Sequence, residues 1–359
     1  MQMGMFEKQK STDWKWWLKD LDSVDKNGLK VFSTFACGGG SSMGYKLAGC
    51  EMVGCLEIDK RMNDVYVKNL NPKHNYLMDI RDFNKLPNDK LPQELFELDI
   101  FDGSPPCSTF SMAGQREDSW GVEKKFKEGQ KLQTLDDLLF VFIDTVEKLQ
   151  PKVAIMENVE GLTLGGAWKY VQEIYKKFNE IGYQVKHWLL KGEQMGIPQT
   201  RHRVFFIATK IDFNLESIDM GFDYEPVLYK EIKTGKGKEV AQGSKSEKLL
   251  LEVRDNENNL SFANQRLYGK NGWFQSMVID DNIVFPTIRA KLSDVFRRGT
   301  LERVTIQDAI NSQTFPQDYD FAGKEPSYII GMSVPPVMIK RIMERLLKSG
   351  IFNYKLKEK

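Results

Sequence analysis

Two short segments hold the residue types best suited to chemistry. Gly103-Ser104-Pro105-Pro106-Cys107 presents a thiol after two prolines, which fix the backbone and remove two amide donors. Glu157-Asn158-Val159 follows the apolar run Val153-Ala154-Ile155-Met156, so a carboxyl emerges from the end of a buried strand. Desolvation raises the proton affinity of such a carboxyl and lets it act as a proton donor near neutrality. A thiolate nucleophile and a proton donor together suit addition to an otherwise unreactive ring. Plainer readings stand beside these. Cys107 also reads as a buried structural thiol and Glu157 as a solvated strand end.

A third segment, Gln199-Thr200-Arg201-His202-Arg203, precedes Val204-Phe205-Phe206-Ile207. Alternate residues on a strand share a face, so Arg201 and Arg203 are expected to point together with His202 opposite. A cation beside a thiol lowers its pKa. The plainer reading is a pair of salt-bridged or phosphate-facing arginines.

Elements that position these groups are legible as alternating strands and helices. Residues 29–36 read as a strand, Gly38-Gly39-Gly40 breaks it, and Ser41-Ser42 caps a helix through Ala48. Residues 52–56 read as the next strand, ending at Glu57 and Asp59, with a helix over 63–70. Strands follow at 98–101 and 153–156, a helix at 135–149, and a hairpin-like pair at 186–190 and 204–208. This alternation predicts an open, mostly parallel α/β sheet. Its first turn suits a nucleotide-like cofactor, because glycines admit close backbone approach and Glu57 can bind a ribose diol. Gly38, Gly40 and Gly44 do not match Gly-x-Gly-x-x-Gly, which disfavours a pyrophosphate. S-adenosylmethionine, which carries no phosphate, fits better; a tight structural turn is the plainer reading.

The chain has 359 residues, 41% hydrophobic and 28% charged, enough for a large core and two domains. Its net charge of +1 confines any nucleic-acid surface to a local basic patch. No apolar stretch is long enough to span a membrane, and Trp14-Lys15-Trp16-Trp17 stands where a signal core would be. These tryptophans are expected to anchor the N-terminal segment onto the main domain. Four cysteines without a Cys-x-x-Cys pair suit reduced thiols in a cytoplasm, and three scattered histidines give no metal-ligand spacing. Residues 211–285 are polar and interrupted by glycines, which predicts a smaller second domain of irregular strands and loops. Helical periodicity returns at 336–348. The charged stretch 114–131 has no clear element, and a loop that long commonly has a function.

In order, these segments resemble the DNA (cytosine-5) methyltransferases from about Leu29 to Leu347. Phe35-Ala36-Cys37-Gly38-Gly39-Gly40 resembles the family's cofactor loop, Glu57-Ile58-Asp59 its ribose and adenine segment, and Asp79-Ile80 the next cofactor segment. Pro106-Cys107 resembles the nucleophile motif, residues 151–159 the Glu-Asn-Val motif, and residues 199–203 the Gln-x-Arg-x-Arg motif. Gly331-Met332-Ser333-Val334 resembles the last motif, which folds back to the cofactor. The resemblance implies a Rossmann-like S-adenosylmethionine-dependent sheet over 1–210, a smaller target-recognition domain over 211–325, and a returning C-terminal helix over 326–359. It implies catalytic roles for Cys107, Glu157, Arg203 and Arg201. The cofactor contacts it implies are Phe35, Ala36, Gly38, Gly39, Gly40, Glu57, Ile58, Asp79, Ile80, Pro106, Leu138, Ser333 and Val334. Double-stranded DNA is the implied substrate, held by a monomer, with a cognate restriction endonuclease as a further partner. Arg254, Arg266, Arg289, Arg297 and Arg298 are candidates for contacting it. Cys37 stands where Gly is usual, Met332 where Asn is usual, Ser108 where Gln is common, and Ile58 in place of Trp. Alternatives are an RNA cytosine-5 methyltransferase, a catalytically silent DNA-binding homologue and, weakest, a cysteine hydrolase. The Ser-Pro-Pro-Tyr pattern of amine methylation competes too, but Cys at its fourth position favours a covalent route.

Overall fold

The computed structural model describes residues 8–106, 138–290, 292 and 294–353. Cys107 and the charged stretch 114–131, where Arg116, Lys124, Lys125 and Lys127 read as phosphate contacts, lie outside them. Two compact units emerge, a larger one from 18–191, 202–222 and 333–353 and a smaller one from 8–17, 192–201 and 223–332.

The larger unit holds a sheet of seven strands: β1 (Lys30–Thr34), β2 (Glu51–Glu57), β3 (His74–Leu77), β4 (Ile100–Gly103), β5 (Val153–Val159), β6 (Gln184–Lys191) and β7 (His202–Thr209). Their order is β3-β2-β1-β4-β5-β7-β6. The first five are parallel, and β7 runs antiparallel to both β5 and β6. Parallel strands covered on both faces read as continuous apolar runs, which is why Val31-Phe32, Ile100-Phe101 and Val153–Met156 are legible. All eight of those side chains are buried. Crossover helices α1 (Gly40–Leu47), α2 (Lys60–Leu70), α3 (Ile80–Lys85), α4 (Leu138–Leu149), α5 (Trp168–Glu180) and the returning α6 (Pro336–Ser349) complete the unit. Asp59 and Asp79 cap α2 and α3 by accepting from the amides of Arg61 (2.9 Å) and Arg81 (2.8 Å). Phe32, Phe83, Phe101 and Phe142 form the centre of the core, with ring centroids 4.9–6.3 Å apart in sequence along the stack.

The smaller unit departs from the expected boundaries at 210 and 325, since it also takes 8–17 and 192–201 and leaves 211–222 to the larger unit. Hydrogen bonds explain this. The Trp16 indole donates to the Thr314 carbonyl at 2.8 Å, and the Gln317 amide donates to the Trp16 carbonyl at 2.8 Å. Trp16 thus anchors within the smaller unit, in place of the expected anchor onto the main domain. Residues Gln9–Lys10 pair with Tyr224–Glu225, and Gln199–Thr200 with Phe285–Pro286. A small core of Val240, Leu249, Leu260, Ala263, Val278 and Phe296 lies among short strands and helices. Beside it Arg297, 4% exposed, donates to the Asp308 carboxylate (2.8 Å) and the Tyr229 hydroxyl (2.8 Å).

Candidate active site and cofactor cradle

The loop after β1 carries three left-handed residues, Phe35 (φ 51°), Cys37 (φ 46°) and Gly39 (φ 80°). The conformation at position 37 explains why glycine suits it, since a side chain there costs roughly 1–2 kcal/mol. It turns two amides toward acceptors. The Cys37 N–H donates to Glu57 Oε2 at 2.7 Å, and the Gly38 N–H to Ser333 Oγ at 3.2 Å. Glu57 Oε1 accepts from the amides of Ile58 and Asp59, both at 2.8 Å. Burial pushes the Glu57 carboxyl above its ordinary pKa, and these amide donors oppose the rise.

The glycines of the turn have a different role from the one their spacing suggests. A Cβ on Gly40 would lie 2.0 Å from the Val334 carbonyl oxygen, and one on Gly44 would lie 2.4 Å from that of Pro336. They let α1 meet the chain as it enters α6, so close approach is to the protein's own backbone. Ser333 and Val334 are thereby brought to the loop and buried. Ile80 and Leu138 belong to the hydrophobic core, and Ala36 is buried too. Asp79 is occupied in capping α3. Phe35, Ile58 and Pro106 remain partly exposed. Residues 35–44 contain no cationic side chain, while a buried carboxylate stands at the end of β2. An acceptor for hydroxyls, apolar surfaces and no partner for phosphate fit S-adenosylmethionine.

At the neighbouring strand ends, β4 runs into Ser104-Pro105-Pro106. A Cβ on Gly103 would lie 2.4 Å from Thr34 Oγ1 and 2.6 Å from the Phe142 ring, so the turn begins where only glycine fits. The Asn158 amide donates to the Pro105 carbonyl at 3.1 Å and holds the two-proline turn against β5. Glu157, 8% exposed, places Oε1 2.7 Å from Arg203 Nε. The ladder pairs Val159 with Arg203 and Glu157 with Phe205, which sets this ion pair on a diagonal. Arg203 also donates to the His202 carbonyl at 2.7 Å, and His202 Nδ1 lies 3.3 Å from Glu160.

Arg201 does not share a face with Arg203. The strand begins only at His202, and Arg201 belongs to the smaller unit. Its buried guanidinium donates to the carbonyls of Ile288 (3.4 Å) and Gly331 (3.3 Å), a scaffold contact. Gln199 behaves alike, donating to Gln313 Oε1 at 2.7 Å. Of the arginines read as DNA contacts, Arg297 is in the buried network. Arg266 pairs with Glu257, Arg298 Nε donates to Asp280 at 3.0 Å, and Arg289 donates to the Gln275 carbonyl at 2.7 Å.

One buried acid beside these strand ends escapes the sequence patterns. Asp102, in β4, is 1% exposed and accepts from Ser33 Oγ (2.8 Å) and the Tyr45 hydroxyl (2.9 Å). Burial pushes its carboxyl up to about 7, against the pull of the two hydroxyls and with a further push from Glu157. The available signal was an acid inside an apolar strand, Ile100-Phe101-Asp102.

The family model for C-5 cytosine-specific DNA methylase matches residues 29–348. The Type II methyltransferase M1.HphI of Haemophilus parahaemolyticus is 26% identical over 348 residues, covering 89% of this chain and 87% of that one. M.AplI of Arthrospira platensis is 26% identical over 338 residues, covering 90% and 86%. Among solved structures, a DNA modification methyltransferase encoded within an E. coli prophage superposes with a TM-score of 0.63 at 20% identity, over 91% of this chain and 100% of that one. DNMT2 of Spodoptera frugiperda gives 0.60 at 15% identity, over 89% and 100%. The last two likenesses concern the fold. No described helix is long and apolar enough to cross a membrane.

Proposed function

The chain belongs to the C-5 cytosine-specific DNA methylase family, enzymes that methylate cytosine in DNA from S-adenosylmethionine, and from that premise we propose a covalent mechanism centred on Cys107, Glu157 and Arg203. The observation that carries this reading is the Glu157–Arg203 pair at 2.7 Å, set beside a two-proline turn that Asn158 holds in place.

A cytosine inside a duplex must be flipped out before its ring can be reached. Cys107, as thiolate, forms a bond from sulfur to carbon 6. The displaced electron pair moves toward ring nitrogen 3, which Glu157 protonates or hydrogen-bonds together with the exocyclic amine, so that the charge of the attack is absorbed. Arg203 fixes the Glu157 carboxyl through Nε and orients the base oxygen. Carbon 5 is then electron-rich. When bound, S-adenosylmethionine supplies the electrophilic methyl group that carbon 5 receives. Loss of the carbon-5 proton to a base expels Cys107 as thiolate and restores the ring. Glu57, Ile58 and the 35–40 loop hold the cofactor's ribose and adenine, with Ser333 and Val334 behind the loop. Asp79, Ile80, Pro106 and Leu138 line the same region in this reading, with Ile80 and Leu138 acting through packing.

The smaller unit reads the target sequence. Arg201 keeps its fold and takes no part in the chemistry. The Type II relatives favour a place in a restriction-modification pair beside a cognate endonuclease. In this reading the enzyme works as a cytoplasmic monomer. Base-resolution 5-methylcytosine mapping in a methylation-deficient host tests the reading. Methylation at one short motif, absent with Cys107→Ala, supports it; an unmethylated genome in both samples contradicts it.

A further inference from the structure

We infer that Asp102 is a positioning residue for methyl transfer: with Ser33 and Tyr45 it forms a buried strut between the strand that leads into the two-proline turn and the strand and helix that shape the cofactor cradle. The inference rests on the covalent reading above and adds a residue that reading does not use.

Placement is the first argument. Asp102 precedes Gly103, where the turn toward Cys107 begins. Ser33 lies on β1 two residues before Phe35, and Tyr45 lies on α1, behind the loop. The carboxylate accepts from both hydroxyls, at 2.8 and 2.9 Å, and the Thr34 hydroxyl donates to the Asp102 carbonyl at 3.1 Å. Three polar contacts thus bind the approach to the nucleophile to the approach to the cofactor.

Cost is the second argument. Asp102, Ser33 and Tyr45 are all at most 1% exposed. Among the described residues no cation hydrogen-bonds Asp102. The titratable groups facing it are Tyr45 from α1, Tyr66 from α2 and Glu157 from β5. Two neutral donors and a neighbouring carboxylate do not offset the desolvation of a buried charge. An amide or an apolar residue would serve the fold at less cost, so the acid is placed for what it does to the site.

Charge state sets the working form. A carboxylate accepts from both hydroxyls at once, whereas the acid must present one oxygen as a donor. The strut is therefore complete above the pKa of about 7 and weakens as pH falls through it.

The test compares wild type, Asp102→Asn and Tyr45→Phe for kcat and KM against pH 5.5–9, with thermal melts and S-adenosylmethionine binding. Misplacement by a fraction of an ångström predicts a loss in kcat of about 10–100-fold for Asp102→Asn, with KM for the cofactor near wild type. The acid limb disappears in that variant. In Tyr45→Phe it moves to higher pH, because a donor to the charged form is gone. Asp102→Asn should melt at or above wild type at pH 8. Wild-type kcat with an intact acid limb in Asp102→Asn would overturn the inference. So would loss of kcat only in step with loss of melting temperature and cofactor affinity, the mark of a plain structural role. If Asp102→Asn does not fold, the direction of the limb in Tyr45→Phe decides. Each preparation is also tested for trapping of 5-fluorocytosine DNA. A wild type that traps nothing sinks the covalent reading; one that traps normally while the variants match it sinks only the strut.

Discussion

The most deeply buried aspartate of each unit, Asp308 in the smaller and Asp102 in the larger, is held in an opposite way. Asp308 in the smaller unit loses solvation, which would raise its pKa, but Arg297, Tyr229 and the Thr305 amide together bring it below the ordinary range. Among the described residues Asp102 in the larger unit meets hydroxyls and a second carboxyl but no cation, and burial wins, raising it to about 7. A cation offsets desolvation where neutral donors do not. The smaller unit therefore spends its buried charge on a closed network that holds a fold. The larger unit keeps Asp102 without a hydrogen-bonded cation among the described residues, beside the residues proposed to do chemistry.

This contrast predicts that substitutions in one unit remove turnover without the fold and in the other remove the fold first. The largest effect falls on Cys107→Ala, with kcat lower by more than roughly 10⁴-fold and cofactor binding retained by calorimetry. Glu157→Gln should lower kcat by roughly 10²–10⁴-fold in a methyl-transfer assay, while the melt shows a protein that still folds. Arg297→Ala should do the reverse and destabilise by about 3–5 kcal/mol in urea titration, because Asp308 is left buried without its cation. If it unfolds nothing, the contrast between the units fails. Gly40→Ala should cost about 1–3 kcal/mol, since its Cβ meets the Val334 carbonyl, and should weaken cofactor binding.

Stability against pH sharpens the comparison further. The folded pKa of Asp102 lies above that of an unfolded carboxyl, so its contribution is present at low pH and lost as pH rises through about 7. Asp308 is depressed, so its contribution is present at neutral pH and lost as pH falls through its folded value. Melting temperatures of Asp102→Asn relative to wild type should therefore rise from pH 5 to 8. Those of Asp308→Asn should fall over the acid range upward. Parallel curves for both variants would show that the two aspartates are alike after all.

Much of the larger unit was legible because parallel strands buried on both faces are apolar throughout, as in Val153–Met156. Helix α5 is less legible, although Val171, Ile174 and Phe178 stand three and four residues apart and are buried. Placement at the candidate site is legible where strand ends carry polar residues, at Glu57, Glu157 and Arg203. It was misread where a partner is distant in sequence. Arg201 meets Gly331 at a separation of 130 residues, and Gly40 meets Val334, contacts that spacing within a motif does not encode. The alternation rule for Arg201 and Arg203 presumed one continuous strand, and the chain passes from one unit to the other between Arg201 and His202. Asp102 does not stand out in the sequence, because an acid in an apolar run resembles a strand boundary.

The most direct test of the covalent account is to incubate the protein and S-adenosylmethionine with duplex DNA carrying 5-fluorocytosine at the mapped motif, then resolve the mixture under denaturing conditions. Fluorine at carbon 5 leaves no proton to remove, so elimination of the thiol stalls. A protein–DNA adduct whose peptide map places the link at Cys107, absent in Cys107→Ala, is the predicted result. Turnover on ordinary DNA with no adduct on the fluorinated one would contradict attack by Cys107 on carbon 6.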